Sequence, residues 1–457
     1  MASINRPELR FAYRVFITVN ILLAVYNMIC FQLPRGDIKP CVLVIANLSQ
    51  QDADSEPKSA PVHTVAATSF VKPQFQNRQP LQSKQSTARP LPAKDSASSF
   101  ASVTAVAGGG KFEIYGDFIV ADESVPFNDS VTLTTQATHE FLQHAPTLCS
   151  HWQGPISVAA YSPGTDYDIV LNKIAYLRQC GDPCVRANMT WHIVYDRAHR
   201  PAHLRNATDF LASWNDSCSS DVMTREYAEY RKVHKMTYPI NVLRNAARTR
   251  AKTKYVLASD IELYPSGNII PRFMRLIKQQ PNLTRSHQVF ILPIFEVQAK
   301  QTAPLTKDVL VKMMRNKTAI FFHKWVCEQC QKFPKRDEWV LYVPDKDKLG
   351  ILTTTKRDKT KRSWEPIYIG TNDDPLYPEE LTWEGKRDKM AQSYELCLKG
   401  YDFHILDNAF LVHAPGIKTI IAKEERRRVP FVKVNNAHHA RLMNSLKAKY
   451  PKLAKDC

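Results

Sequence analysis

The chain has 457 residues, 44% of them hydrophobic, and 62 Lys and Arg against 44 Asp and Glu give a formal net charge of +18. The length allows two or three domains, although one stretch near the N-terminus is too polar to be globular. A basic balance suits nucleic acid, but no zinc-finger spacing, basic heptad or RNP-like motif occurs, so nucleic acid is excluded as a partner; nucleotide phosphates and acidic glycans fit the same charge.

In chain order, Val15 to Leu33 is nineteen residues without a charge, enough to span a bilayer as a helix. Arg6, Arg10 and Arg14 precede it and place residues 1–14 in the cytosol. A cleaved signal peptide would have a shorter apolar core and a small-x-small site; Cys30-Phe31-Gln32-Leu33-Pro34 stands there instead. Residues 15–33 are therefore expected to be an uncleaved transmembrane signal anchor, with the rest lumenal. Seven Asn-x-Ser/Thr sequons, at Asn47, Asn128, Asn188, Asn206, Asn215, Asn282 and Asn316, all follow it. Nine of the ten cysteines also follow it, where disulfides persist. Nine cannot all pair within one chain, so at least one is expected to be free or intermolecular, which leaves a homo-oligomer open. Cys327-Glu328-Gln329-Cys330 has no second CxxC to complete a zinc site and is expected to be a structural disulfide.

Gln50 to about Gly110 is rich in Ser, Ala, Pro, Gln and Lys and cannot bury a core. Residues 34–110 are expected to form a flexible stem and 111–457 the folded body. In the body, Ser130–Thr135 is strand-like and Ala137–Leu148 helix-like, with Thr138 as its cap. Pro155–Tyr161 predicts a second strand, Tyr167–Leu177 a helix, Trp191–Tyr195 a third strand, and Tyr238–Arg250 a helix with Asn241, Arg244, Asn245 and Arg248 at helical spacing. Tyr255–Ala258 is a buried strand, and Ile269–Leu276 begins a helix. Val289–Phe295 predicts one further strand ended by Glu296. A helix through Cys397 and apolar runs at Phe403–Asp407 and Asn408–His413 complete the body. Strands alternating with helices predict an α/β fold with a mostly parallel sheet flanked by helices.

Ligands in such sheets bind beyond the carboxyl ends of the strands, where Asp260 and Glu262 fall. On an extended backbone these two carboxylates point to one side and suit a hard divalent cation, Mn2+ or Mg2+. A lone acidic pair is more often a turn cap beside a solvated carboxylate, so its surroundings decide. His413 ends an apolar run as Asp260 does; Gly416 and Lys418 beside it offer close backbone approach and a point charge for a phosphate.

These residues resemble glycosyltransferase family 49, the family of the beta-1,4-glucuronyltransferases and the LARGE C-terminal domains. The likeness spans roughly Val131 to Lys418. It rests on Gly154-Pro155-Ile156-Ser157-Val158, Tyr238-Pro239-Ile240-Asn241-x-Leu243-Arg244-Asn245, Ser259-Asp260-Ile261-Glu262, Pro293-x-Phe295-Glu296, Trp364-Glu365-Pro366 and Asn408-Ala409-Phe410-Leu411-Val412-His413. The resemblance implies a GT-A-like fold, a UDP-sugar donor, a glycan acceptor, Mn2+ and an inverting transfer by a type II protein of the Golgi membrane. It implies Asp260, Glu262 and His413 as metal ligands, and Asn241, Arg244, Asn245 and Lys418 on the donor side. Two departures matter: the second carboxylate is Glu262 instead of Asp, and Gly385-Lys386-Arg387-Asp388-Lys389 has Asp388 where relatives have Asn. For the base that accepts the acceptor proton, Asp388 is the first candidate and Glu296 the second, with Glu365 and Glu384 behind them. The bland reading of Asp388 is a carboxylate at a helix N-terminus. The rival for the whole chain is a glycan-binding protein of the same fold that has lost transfer, with the Asp-x-Glu departure as its motive.

Overall fold

The structure, a computed structural model, describes residues 105–215, 218–219 and 221–457. The expected anchor and nearly all of the expected stem lie outside the described residues. Among the described residues no helix is long and apolar enough to cross a membrane.

The body is a mixed α/β fold built on a ten-stranded sheet. Its centre is four parallel strands: β3 (Val131–Ala137), β4 (Ile156–Tyr161), β5 (Met189–Asp196) and β6 (Tyr255–Ala258), in the order β5-β4-β3-β6. β3 and β4 are buried along their whole length, as expected of strands covered on both faces. The flanks are mostly antiparallel, so the sheet is mixed where a mostly parallel one was expected. β1 (Ala105–Ala107) and β2 (Phe112–Ile119) extend one side, with β1 starting ahead of Lys111. On the other side β12 (Tyr368–Thr371) runs antiparallel to both β6 and β8 (Gln288–Ile291); β13 (Asp402–Leu406) then pairs parallel to β8, and β11 (Ile351–Thr355) antiparallel to β13.

A second, four-stranded sheet shapes the site. It contains β7 (Leu263–Pro265), β9 (Ile294–Val297), β10 (Ala319–Phe321) and β14 (Leu411–His413), in the order β10-β9-β14-β7. The single strand expected over Val289–Phe295 is thus two strands in different sheets. Pro293 lies between them; it has no N–H to continue a ladder, and the chain changes sheet there. The helix expected from Ala137 instead starts at Ala145, with Pro146 in its first turn, while Ala137 closes β3.

Three helices bear on the site. α1 (Ile240–Arg248) is buried at all nine positions. Val242, Leu243, Ala246 and Ala247 pack against Ile114, Ala159 and Val194 of the large sheet, and its polar side chains turn toward residues 371–389. α2 (Met390–Leu398) follows that segment, and α3 (Ala422–Lys449), a helix not anticipated from the sequence, packs against α2. Four disulfides join Cys149 to Cys184, Cys180 to Cys218, Cys327 to Cys330 and Cys397 to Cys457. The Cys327–Cys330 pair is the structural disulfide expected; Cys30 and Cys41 lie outside the described residues.

Candidate active site

β6 ends at Ala258, and the chain turns before β7 begins: the Leu263 N–H donates to the Asp260 carbonyl at 3.0 Å. Asp260 and Glu262 therefore sit on a turn and not on the extended backbone that their spacing suggested. The small sheet then brings His413 to them. In its register His413 lies opposite Leu263 on one side and Glu296 on the other, and the Ala414 N–H donates to the Glu262 carbonyl at 2.7 Å.

Asp260 is the hub. Its Oδ1 accepts from Gln136 Nε2 at 2.8 Å and Arg244 Nη2 at 2.9 Å, and its Oδ2 accepts from Lys389 Nζ at 2.7 Å. Burial pushes its carboxyl upward, but Lys389 and Arg244 overcome that and hold it well below the usual range. Glu262 has no such partners; burial and the neighbouring Asp260 charge raise it, against Lys418. The imidazoles of His413 and His323 stay neutral because burial, reinforced by the Lys418 charge, lowers them to about 4 and about 3.

The expected donor-side residues of α1 are placed as follows. Arg244 bridges two carboxylates, donating to Asp388 Oδ2 at 2.5 Å as well as to Asp260, and to Asn241 Oδ1 at 2.9 Å. Asn241 donates to the carbonyls of Pro378 and Asp388, and Asn245 to the carbonyl of Tyr377 and to Glu379. Arg248 donates to the carbonyls of Thr371, Asp374 and Pro375. The polar face of α1 thus holds the segment that carries Asp388 and Lys389. Lys418 is half-buried beside His413 and has no carboxylate within ion-pair distance among the described residues.

The two leading candidates for a base are both occupied. Glu296 is fully buried and accepts from the backbone N–H of His323 at 3.1 Å and of Lys418 at 3.3 Å, tying two segments together. Asp388 is held by Arg244. It does not cap α2 either, whose N-cap is Lys389 with no side-chain capping bond. Glu384 accepts from Arg231 at 2.6 Å and from the Tyr238 N–H at 2.9 Å. Glu365 faces Asp388, Lys389, Arg244 and Asp260.

The loop before α2 is fixed from outside by α3. Asn435 donates to the carbonyls of Thr382 and Lys386, both at 2.9 Å, and Arg428 to those of Trp383 and Glu384. Gly385 is required there, since a Cβ would stand 2.0 Å from the Asn435 amide carbon. Lys386 and Arg387 adopt positive φ, +61° and +60°, a strain of about 1 kcal/mol or more each that this clamp sustains.

Sequence reasoning missed Gln136, Lys389, His323 and His144, whose Nδ1 lies 2.7 Å from the Tyr264 hydroxyl. Gln136 had a signal, as a polar residue near the carboxyl end of a central strand. His323 had none, because its φ of +55° and its stacking on Phe322 are tertiary outcomes.

A divalent ion suits these residues by type. The His413 Nδ1–H donates to the Ala414 carbonyl at 2.7 Å, which leaves Nε2 a lone pair, and that buried nitrogen has no hydrogen-bond partner. Glu262 adds a second donor and Asp260 a third. Among the described residues, however, no three His, Cys, Asp or Glu side chains are gathered around one point; the Lys389 ammonium lies against Asp260 instead.

A family described as "Glycosyl-transferase for dystroglycan" matches residues 130–451. The chain is 28% identical over 364 residues to beta-1,4-glucuronyltransferase 1 of Danio rerio, covering 77% of this chain and 82% of that relative. It is 27% identical over 367 residues to the Homo sapiens protein of the same name, covering 78% and 85%. Against human xylosyl- and glucuronyltransferase LARGE1 it is 25% identical over 296 residues, covering 64% of this chain and 32% of the relative.

Proposed function

The chain belongs to the family described as glycosyl-transferase for dystroglycan, and from that premise we propose that this glycosyltransferase moves glucuronic acid from UDP-glucuronic acid to a hydroxyl of a glycan acceptor, with inversion. UDP-xylose and UDP-N-acetylglucosamine are the next donors to consider. The names of the relatives support the sugar. The observation that supports the reading is Asp260 at the carboxyl end of β6, paired with Lys389 at 2.7 Å, followed on the same turn by Glu262, which feels the Lys418 charge, with His413 opposite Leu263 in the small sheet.

In this reading Asp260, Glu262 and His413 would hold a Mn2+ ion, with Mg2+ as substitute, which would supply positive charge against the donor diphosphate. The chain's own residues do the rest. Lys418, which forms no ion pair among the described residues, would meet a phosphate with its ammonium. His323 and His413, half-buried and kept neutral, add no positive charge of their own beside Lys418. Lys389 and Arg244 fix Asp260 in one rotamer, so its orientation is set before the donor arrives. An acceptor hydroxyl attacks the anomeric carbon from the face opposite the leaving UDP and gives its proton to a carboxylate. The proposal puts the body in the Golgi lumen, on a type II membrane protein with its anchor at 15–33 and its stem at 34–110.

The test is a screen of the purified full chain against the three UDP-sugars, with Mn2+ or with chelator, reading UDP release. Release that depends on the ion and is fastest with UDP-glucuronic acid is expected. No UDP from any donor would overturn transfer in favour of glycan binding alone.

A further inference from the structure

Six carboxylates have been described at this end of the molecule, and five are accounted for, Glu384 by Arg231 and the Tyr238 N–H. Asp260 is held by Arg244, Gln136 and Lys389; Asp388 by Arg244; Glu296 by two backbone N–H groups. Glu262 follows Asp260 on the turn, with the Lys418 charge acting on it, and in the proposed reading it would help to hold the ion. Glu365 is left without an assignment.

Its backbone is fixed on both sides. The Glu365 N–H donates to the Cys330 carbonyl at 2.9 Å, so the Cys327–Cys330 loop grips it directly. The preceding Trp364 is buried with its ring 5.5 Å from that of Phe403, and its carbonyl accepts from Ser393 Oγ at 3.0 Å. Pro366 follows and stiffens the chain. The carboxylate itself has no hydrogen bond or ion pair to any described residue, and the side chain is half-buried with its oxygens not sealed from solvent. The Trp364 bond to Ser393 places Glu365 beside the start of α2, which follows Lys389 in sequence, and the charges of Asp388, Lys389 and Arg244 act on it. A fixed backbone carrying an unengaged carboxylate there is what a proton acceptor needs and what a structural carboxylate avoids.

We propose that Glu365 is the general base of the transfer, the carboxylate that receives the proton of the acceptor hydroxyl. This rests on the glycosyltransferase reading and displaces Asp388 and Glu296 from that role. In the step, the acceptor O–H bond breaks and its proton passes to a Glu365 oxygen. The freed oxygen forms the bond to the anomeric carbon, and the bond from that carbon to the phosphate oxygen breaks, its electron pair leaving with UDP. Electrostatics agree with the geometry: burial and the Asp388 charge push the Glu365 carboxyl up to about 8, against Lys389 and Arg244. A base must be ionised to act, so transfer should climb as pH passes through that region.

The experiment uses the full-length protein, UDP-glucuronic acid and a panel of aryl pyranoside acceptors, comparing wild type, Glu365→Gln and Glu365→Asp. Transfer kcat, its pH profile, and UDP binding by calorimetry are read. Glu365→Gln should lose about a hundredfold or more in kcat and the rise toward pH 8, while UDP binding stays within about threefold. Glu365→Asp should keep part of the rate with a displaced profile. Transfer by Glu365→Gln within about fivefold of wild type, or with the same pH rise, overturns the assignment. Loss of UDP binding in Glu365→Gln also overturns it, because the role is then structural. A wild-type protein that neither binds nor releases UDP removes the glycosyltransferase reading together with its base.

Discussion

Replacing Arg244 with Gln should be among the most damaging single changes in the body, and the structure sets the scale. The guanidinium is 3% exposed and donates to Asp260, Asp388 and Asn241 at 2.9, 2.5 and 2.9 Å. Hydrogen bonds to charged groups contribute about 1.5–3 kcal/mol each, and two of these three go to carboxylates. Removing one partner of a buried ion pair costs about 3–5 kcal/mol by an independent route, because the remaining charge is left uncompensated. Asp260 keeps Lys389 in the variant, whereas Asp388 keeps no ion-pair partner among the described residues. A loss of about 3–5 kcal/mol in urea unfolding, followed by tryptophan fluorescence with the disulfides intact, is expected. Adding Asp388→Asn should restore part of it, since the stranded charge is then gone and the two effects are not additive. A loss below about 1 kcal/mol, the level of a solvated pair, would refute the claim that this network holds the site together.

Two other measurements probe different parts of the chain. Burial raises the Asp166 carboxyl from 3.8 to about 6, the Tyr230 N–H opposing, so its contribution to stability is complete below pH 3.8 and lost as pH rises to about 6. Asp166→Asn should therefore be on the order of 1–2 kcal/mol more stable than wild type at pH 7 and equal to it at pH 4; an unchanged difference across that range would remove Asp166 as the cause. If the body is lumenal, the exposed Asn128, Asn215, Asn282 and Asn316 should carry glycans, while the half-buried Asn188, whose Nδ2 donates to the Cys184 carbonyl at 3.3 Å, should be bare. Peptide mapping that finds the four exposed sites empty would count against a lumenal body.

The elements that showed in the sequence are those whose pattern is local. Tyr255–Ala258 is an uninterrupted apolar run and forms β6 with those bounds, and His413 closes a strand as its position after Leu411-Val412 suggested. Asp260, Glu262 and His413 were visible as chemistry at strand ends. What they touch was not, because Lys389 and Arg244 lie on other elements, 129 and 16 residues from Asp260. Asn241, Arg244 and Asn245 looked like a polar helix face open to a ligand; that face is buried against backbone carbonyls of a segment more than a hundred residues later. α3 stayed hidden for the opposite reason. Only Asn435 and Leu446 are buried in it, Pro430 lies inside it where sequence would end a helix, and its Glu424–Arg428 charges resemble any solvated stretch.

The clamp on Gly385 has a consequence for the order in which the protein becomes competent. Asn435 and Arg428 hold the loop that presents Asp388 and Lys389, and α3 is tethered at its far end by Cys457 to Cys397 of α2. Every other part of the cleft is synthesised earlier. The strained Lys386 and Arg387 conformations can be locked only after α3 has emerged, and the tether closes only where an oxidant is present. In a newly made chain the loop that carries Asp388 and Lys389 would thus be the last part of the site to be fixed. The Cys397–Cys457 bond, by tying the far end of α3 to α2, would then keep that last-formed loop from coming loose again.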